Sequence, residues 1–203
     1  MRDKVDKIKH TIDYYDREAK NWSLAHCHKQ SDTFWRGEME KLHKLLPHGK
    51  ILEIGSGSGK DATALISLGY DYIGTDASEG LLKVAKKANP TAKFIPIAVH
   101  DLDFKNSEFD GFWSVATLLH IPKDKIDGAL KQIKKVVRSG GIGFISLKAG
   151  AGERTDPDTG RWFAYYSLEE FHAVLERNGF EVIEEATRKG DKDWWLEYWV
   201  KTL

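Results

Sequence analysis

The feature that most constrains this sequence is the segment 50–62, which reads KILEIGSGSGKDA. A short apolar run of β-forming residues is followed by alternating glycines at Gly55, Gly57 and Gly59 and then by a predicted helix. Short apolar runs of this kind are typical of buried parallel strands. Glycines let the main chain approach a ligand closely, and the first turn of a helix offers free N–H groups. The segment therefore predicts the corner of an α/β domain that holds a nucleotide-like cofactor.

Strand-like and helix-like segments alternate regularly after the glycine turn. The predicted strands lie at 70–75, 92–97, 112–116 and 142–147, and the predicted helices lie at 61–68, 80–88 and 125–137. Regular alternation favours a parallel sheet with helices on both faces. Ser139-Gly140-Gly141 is predicted to turn the chain into the strand at 142–147. Two later strands, at 180–187 and 194–201, are predicted to form an antiparallel pair that closes one edge of the sheet.

A chain of 203 residues suits a single domain with one hydrophobic core, and we predict one domain over 1–203. The segments at the two ends are predicted to add to the central α/β core of this domain. Apolar residues at helical spacing in 1–22 and 33–46 predict an N-terminal helical cap over 1–46, ahead of a cofactor-binding core over 50–147. The segment 148–203 supplies a long polar loop and the closing strands. Within it, Ser167 and Glu170 are spaced as a capping box at the start of a helix.

Composition excludes several classes of function. Lys plus Arg and Asp plus Glu both number 31, so no net charge attracts nucleic acid or a membrane surface. No apolar run approaches the roughly 18 residues that cross a bilayer, and no signal peptide is visible. A single cysteine, Cys27, predicts a reducing, cytoplasmic setting. His26, Cys27 and His28 lack a second ligand pair, so no metal site is predicted.

An acidic residue, Asp76, follows the second predicted strand 21 residues after Gly55. An acid at about this distance accepts hydrogen bonds from both hydroxyls of a ribose. The nicotinamide fingerprint G-x-G-x-x-G requires a third glycine five positions after the first. Counted from Gly55 this position is occupied by Lys60, and counted from Gly57 it is occupied by Ala62. Only the second count nearly fits the fingerprint. A phosphate-binding Walker loop is excluded because no Gly-Lys-Ser/Thr occurs in the turn.

Four motifs in order resemble those of the class I S-adenosylmethionine-dependent methyltransferases. They are ILEIGSGSG, YIGTDAS, FDGFWSVATLLHIP and LKQIKKVVRSGGIGFISL. The resemblance spans about Ile51 to Leu147 and implies a Rossmann-like, seven-stranded, mostly parallel sheet with an antiparallel last strand. It also implies S-adenosyl-L-methionine as the cofactor. The run GER...GR.F.YYS.EEF after the fifth strand is similar to small-molecule methyltransferases, including those named for tellurite resistance.

Carried onto this sequence, the resemblance implies that Gly55, Ser56 and Gly57 wrap the methionine moiety of the cofactor, with Glu53 behind them. Asp76 then takes the ribose hydroxyls and Ala77 flanks the adenine. The family often has an acidic residue after the third strand that binds the adenine amino group, and Ala98 stands at that position here. The main chain of Val99 or the side chain of Asp101 is therefore expected to bind the adenine. The full predicted cofactor set is Tyr14, Glu53, Gly55, Ser56, Gly57, Asp61, Asp76, Ala77, Val99, His100, Asp101 and Ser114.

Candidate acceptor residues follow the fourth and fifth strands. His120 is the candidate catalytic residue, and a histidine bonded to backbone at a helix start is the alternative. Tyr165 and Tyr166 are candidates for the acceptor pocket, Tyr166 also as a catalytic residue, and core packing is their alternative. The predicted cationic contacts to the acceptor are Lys148, Arg154 and Arg161, for which a solvated loop is the alternative.

The leading hypothesis is methyl transfer to a small-molecule acceptor by in-line displacement, in which the protein mainly aligns the nucleophile and removes water. An NAD(P)-dependent oxidoreductase is the first alternative, and a non-catalytic S-adenosylmethionine-binding module is the second. A nucleic-acid methyltransferase is disfavoured, because the sequence has no basic stripe and no Asn/Asp-Pro-Pro-Tyr/Phe motif after the fourth strand.

Overall fold

The computed structural model describes residues 7–26 and 35–203. Two helices, α1 (Lys7–His26) and α2 (Arg36–Leu45), precede the sheet. Parts of the predicted N-terminal cap, at 1–6 and 27–34, lie outside the described residues, and Cys27 and His28 are among them. The later elements are β1 (Lys50–Ile54), α3 (Ala62–Ser67), β2 (Asp71–Asp76), α4 (Glu79–Ala88), β3 (Lys93–Pro96), β4 (Phe109–Val115), α5 (Ile126–Val136), β5 (Val137–Lys148), β6 (Glu153–Thr155), β7 (Trp162–Ala164), α6 (Leu168–Arg177), β8 (Phe180–Lys189) and β9 (Trp194–Thr202).

Seven strands form the main sheet in the order β3-β2-β1-β4-β5-β9-β8. β9 runs antiparallel to both of its neighbours, and the pairs from β3 to β5 are parallel. The predicted α/β fold and its antiparallel closing strands are confirmed. The chain leaves β1 toward β2 and β3 and then returns to β4 on the other side of β1. Such a switch in strand order opens a crevice at the carboxyl ends of the strands, where ligands of α/β sheets bind.

The core lies on both faces of the sheet, because successive side chains of a strand point in opposite directions. In β4, Phe112 belongs to the cluster on one face and Trp113 to the cluster on the other. Trp113 stacks on Phe144 of β5, with ring centroids 4.6 Å apart. Burial on both faces explains why these central strands read as near-continuous apolar runs in the sequence.

Gly140 and Gly141 lie inside β5, and the predicted turn before a strand at 142–147 is therefore wrong. The pairing with β4 passes from Phe109 opposite Val137 to Gly111 opposite Ile142, so the extra residues of β5 form a bulge. Gly140 occupies the left-handed region at φ 73° within it. Bulges insert extra residues without ending a strand, and the apolar residues on each side of this one still pair with β4.

The predicted polar loop at 148–161 contains a strand, β6, which pairs antiparallel with β7. A turn closes this small hairpin because the Asp156 carboxylate accepts hydrogen bonds from the Thr159 N–H (2.9 Å) and hydroxyl (2.7 Å). After the hairpin, the Ser167 hydroxyl caps α6 by accepting from the Glu170 N–H at 3.1 Å. The other half of the predicted capping box does not form, since the Glu170 carboxylate instead accepts from Lys123 Nζ.

Candidate functional site

A cavity of 1010 Å³ opens at the carboxyl ends of β1, β2 and β4. The glycine turn and the end of β2 line one end of it. Residues from α1, from the 3₁₀ turn Leu118–His120 and from β7 line the other end. The cavity thus lies at the switch in strand order, where a parallel sheet is expected to bind its ligand.

The glycine turn is held against β2 by hydrogen bonds from Gly55 N and Ser56 N to the Thr75 carbonyl, both 2.8 Å. Gly55, Gly57 and Gly59 all occupy the left-handed region, at φ 74°, 54° and 75°. A Cβ on Gly55 would lie 1.9 Å from the Thr117 hydroxyl oxygen, whereas a Cβ on Gly57 would meet nothing within 4 Å. Gly55 is therefore required for packing, and Gly57 leaves open space for a ligand.

Asp76 is fixed beside this turn by two backbone groups. Its Oδ2 accepts from Gly57 N and its Oδ1 accepts from Ser78 N, each at 2.8 Å. Burial raises the pKa of this carboxyl to about 6, against the lowering effect of the two backbone hydrogen bonds. Each oxygen keeps acceptor capacity, so the carboxylate can accept hydrogen bonds from the two hydroxyls of a ribose.

Two more carboxyl groups face the same end of the cavity. Glu53 is buried and accepts a hydrogen bond from the Tyr72 hydroxyl, and Asp61 Oδ2 accepts from Trp113 Nε1 at 3.0 Å. Burial raises the pKa of Glu53, and the neighbouring Asp61 carboxylate adds to the increase. With the carboxylates of Asp61 and Asp76, this end of the cavity therefore suits a ligand with positive charge and a vicinal diol, which are features of S-adenosylmethionine.

At the other end, Arg161, Tyr15 and His120 form a chain of hydrogen bonds. Arg161 Nη1 donates to the Tyr15 hydroxyl oxygen at 2.9 Å, and the same hydroxyl lies 2.9 Å from His120 Nε2. His120 Nδ1 lies 2.7 Å from the Trp162 carbonyl oxygen, which can only accept, so Nδ1 carries the proton. Nε2 is then the acceptor of the Tyr15 O–H. The donor and the acceptor of each of these hydrogen bonds are thus assigned.

His120 is neutral because its burial, with smaller effects of Arg161 and Lys148, lowers its pKa to about 4. His172, on the surface of α6, is the natural comparison, since its hydrogen bond to Glu185 (2.7 Å) raises its pKa above the usual value. We expect imidazole nitrogen NMR spectra to show His172 titrating above about pH 6.5. Between pH 8 and 5, His120 should stay neutral with its proton on Nδ1. A protonation step of His120 in that window would contradict the hydrogen-bond directions assigned here.

Helix α1 forms the roof of the cavity and is tied down near both ends of the site. Asp16 Oδ1 accepts from the Ser78 hydroxyl (2.7 Å) and from Gly80 N (2.8 Å), which attaches α1 to the loop after β2 and the start of α4. Thr11 Oγ1 accepts from Trp162 N at 2.9 Å, which attaches α1 to β7. The roof is thus anchored to the cofactor-facing and acceptor-facing parts of the fold.

Most of the predicted site residues line the cavity. They are Glu53, Gly55, Ser56, Gly57, Asp61, Asp76, Ala77, Val99, His100, His120, Lys148 and Arg161. The other six do not line it: Tyr14, Asp101, Ser114, Arg154, Tyr165 and Tyr166.

The reasons for these six positions are physical. Ser114 and Tyr166 are buried in the core, where Tyr166 packs edge-on against Phe171 with centroids 4.9 Å apart. Arg154 is exposed and lies over the Tyr165 ring at 4.0 Å, away from the cavity. Tyr14 does not line the cavity because the next residue of α1, Tyr15, is the one that faces inward. Asp101 lines a smaller outer cavity and lies 3.2 Å from His100 Nε2.

Several lining residues were not predicted as site residues. They are Tyr15, Trp22, Thr117, Phe163 and Trp195. The helical spacing of α1 gave a signal for the first two, because Tyr15 and Trp22 are seven positions apart and share one face. No sequence signal identified the other three.

Among residues 7–26 and 35–203, no group of three His, Cys, Asp or Glu side chains is arranged to hold a metal ion. In the same part of the chain, no helix has the length and apolar character needed to cross a bilayer.

Residues 52–145 match the family described as a methyltransferase domain. An uncharacterized protein of Methanocaldococcus jannaschii is 32% identical over 148 residues, which cover 70% of this chain and 64% of that protein. A probable S-adenosyl-L-methionine-dependent methyltransferase TehB of Haemophilus influenzae is 22% identical over 143 residues, which cover 69% of this chain and 49% of that protein. The chain thus spans less than two thirds of the length of these relatives.

Solved structures share the fold. Magnesium protoporphyrin IX methyltransferase from Synechocystis, with bound S-adenosylmethionine, superposes with a TM-score of 0.77 at 15% identity and covers 100% of both chains. The 1,6-didemethyltoxoflavin-N1-methyltransferase of Burkholderia thailandensis, with bound 1,6-didemethyltoxoflavin and S-adenosylhomocysteine, superposes with a TM-score of 0.75 at 19% identity and covers 97% of this chain and 87% of that one. At these identities the likeness establishes the fold.

The strand order, the glycine turn beside Asp76 and the match over residues 52–145 agree with the class I S-adenosylmethionine-dependent methyltransferases, whose motifs the sequence resembles. The resemblance is confirmed over residues 52–145, and TehB is among the proteins to which this chain is similar. S-adenosylmethionine is the cofactor of the class, and the cavity end formed by Gly57, Asp76 and Glu53 fits it.

Proposed function

We propose that this protein transfers a methyl group from S-adenosylmethionine to a small-molecule acceptor by in-line displacement. The observation that carries the proposal is a single cavity with two chemically different ends. Its volume of 1010 Å³ reaches the upper limit of about 1,000 Å³ for ligand pockets, which leaves room for a cofactor and a second molecule. One end offers glycines and carboxyl groups, and the other offers aromatic rings and cations.

At the first end, Asp76 holds the ribose and Gly55, Ser56 and Gly57 border the methionine moiety. Asp61 provides negative charge near the ammonium group and the sulfonium, and Glu53, whose raised pKa favours the neutral carboxyl, lies beside it. Ala77, Val99 and His100 are assigned to the adenine. The bound cofactor supplies an already activated methyl group, so the protein has to orient the acceptor and exclude water.

At the second end, His120 and Tyr15 are assigned to orienting the acceptor. A histidine whose pKa is about 4 is a weak base at neutral pH, so His120 contributes little by removing a proton. Its Nε2 instead fixes the direction of the Tyr15 hydroxyl, which faces the cavity. Helix α1 covers the cavity and excludes water from the path along which the methyl group is transferred.

A small molecule is the favoured acceptor because the cavity is a pocket beneath a helix and the chain has no basic stripe for nucleic acid. The didemethyltoxoflavin and magnesium protoporphyrin methyltransferases, which share the fold, also act on small molecules. The nicotinamide alternative is not favoured, since the third glycine of its fingerprint is missing and the methyltransferase family matches.

Titration calorimetry with S-adenosylmethionine, S-adenosylhomocysteine and NAD tests the cofactor. We expect saturable binding of the first two and none of NAD. Incubation with S-adenosylmethionine and a fractionated metabolite extract should then form S-adenosylhomocysteine only in fractions that contain an acceptor. Binding of NAD without binding of S-adenosylhomocysteine would overturn the proposal. Cofactor binding with no product in any fraction would favour the non-catalytic alternative.

A further inference from the structure

Arg161 is a cation in the wall of the cavity that lacks a carboxylate partner among residues 7–26 and 35–203. In that part of the chain, no Asp or Glu oxygen lies within 4.0 Å of its guanidinium nitrogens. Asp156 is in the same hairpin, but its carboxylate is engaged by Thr159. By contrast, Arg138 and Arg177 pair with Asp110 and Asp127, each at 2.8 Å.

Another cation that lines the cavity, Lys148, is already neutralised. Its Nζ lies 2.7 Å from Asp193 Oδ2. Arg161 is only partly accessible, and burying a charge without a counter-ion is costly. Asp191 and Lys192 also line the cavity and carry opposite charges, so the net charge that this end presents to a ligand comes from Arg161.

Aromatic side chains surround the guanidinium of Arg161. Its central carbon lies 4.8 Å from the ring centroid of Trp22, 4.9 Å from that of Tyr14, 5.1 Å from that of Phe163 and 5.4 Å from that of Tyr15. An aromatic cage can attract a cationic ligand, but this cage already holds a cation of the protein. A second cation would be repelled by Arg161, whereas an anion would find a partner.

The hydrogen bonds of Arg161 leave part of its donor fork for a ligand. Nη1 donates to the Tyr15 hydroxyl at 2.9 Å and Nε donates to the Thr159 hydroxyl at 3.1 Å. Both partners are neutral, and they fix the plane of the group without neutralising it. A guanidinium has five N–H donors in a planar arrangement that matches the oxygens of a carboxylate or phosphate.

We propose that the methyl acceptor is an anion with an aromatic or similarly flat body, and that Arg161 is the residue that selects its negative group. The proposal rests on the proposed function, since it assigns the acceptor end of the same cavity. The anionic group would contact the free N–H groups of Arg161, and the flat body would pack beside Phe163 and Trp22. Tyr15, bonded to Arg161 on one side and to His120 on the other, would then lie beside the acceptor.

The test uses the full chain saturated with S-adenosylhomocysteine and a set of aromatic anions with neutral counterparts. Benzoate is compared with benzamide and 4-hydroxybenzoate with 4-hydroxybenzamide, in buffer low in chloride, by calorimetry or ligand-detected NMR. We expect each anion to bind at least about tenfold more tightly than its amide, as a charge-assisted bidentate hydrogen bond implies. In Arg161→Gln this preference should disappear.

Arg154→Gln is the matched control, because it removes the same kind of charge from the same segment but outside the cavity. It should leave the preference for anions unchanged. Equal binding of anions and amides, or no binding of any of the anions, would overturn the proposal. So would a loss of S-adenosylhomocysteine affinity in Arg161→Gln equal to the loss for the anions, since Arg161 would then bind the cofactor carboxylate. Failure of the wild-type chain to bind S-adenosylhomocysteine would instead contradict the proposed function itself.

Discussion

Replacing Asp76 with alanine is expected to weaken the binding of S-adenosylhomocysteine by at least about tenfold, as the loss of hydrogen bonds to a charged group implies. The carboxylate is positioned for the ribose by Gly57 N and Ser78 N, so the variant loses both the acceptor and the contacts that shape the turn. Titration calorimetry measures the change. Asp101→Ala is the control, because this acid lies on the outer surface of the same region and should change the affinity less than about twofold.

The pH dependence of binding gives an independent check on the same residue. The pKa of Asp76 is raised to about 6, and the ribose hydroxyls donate to the ionised form. Affinity in the wild type should therefore fall as the pH is lowered from 7 through 6, by up to about tenfold per pH unit. In Asp76→Asn the fall should be absent between pH 7 and 5. A decline that persists in this variant would show that another group is responsible.

Gly55 and Gly57, which are two positions apart in the glycine turn, are expected to respond very differently to alanine. Gly55→Ala should destabilise the fold by roughly 2–5 kcal/mol, because its Cβ meets the Thr117 side chain and an L-residue is strained at positive φ. Thermal unfolding should then shift downward by roughly 5–15 °C for a chain of this length.

Gly57→Ala should fold, with only the backbone penalty of about 1–2 kcal/mol. Its methyl group would point into open space that the cofactor is expected to fill, so S-adenosylhomocysteine binding should be lost. Thermal scans with and without the ligand separate the two effects. If Gly57→Ala were stabilised by the ligand as strongly as the wild type, the cofactor would not lie against this turn.

Features encoded by local sequence could be predicted, and these include the part of the site that holds the cofactor. The strand, the glycine turn and Asp76 lie within a short stretch, and their conformations follow from residue type: glycine for positive φ, a carboxylate at the end of a buried strand. Parallel pairing then places the end of β2 beside the turn. The same local rules predicted that Ser167 caps α6.

The acceptor end could not be predicted in the same way, because it depends on contacts between distant segments. Tyr15 and Arg161 are 146 positions apart in the chain, and Tyr15 and His120 are 105 apart. Choosing Tyr15 rather than Tyr14 requires knowing the rotation of α1 above the sheet. Choosing Arg161 rather than Arg154 requires the hairpin β6–β7, whose pairing sets which side of the segment faces the cavity.

Helix α1 links the two halves of the cavity mechanically. Through Asp16 it is attached to the loop that follows Asp76, and through Thr11 and Tyr15 it is attached to β7 and Arg161. A shift of this helix that admits one ligand also disturbs the binding surface of the other. The affinities of cofactor and acceptor should therefore be thermodynamically coupled, and by linkage each ligand should change the affinity for the other by the same factor.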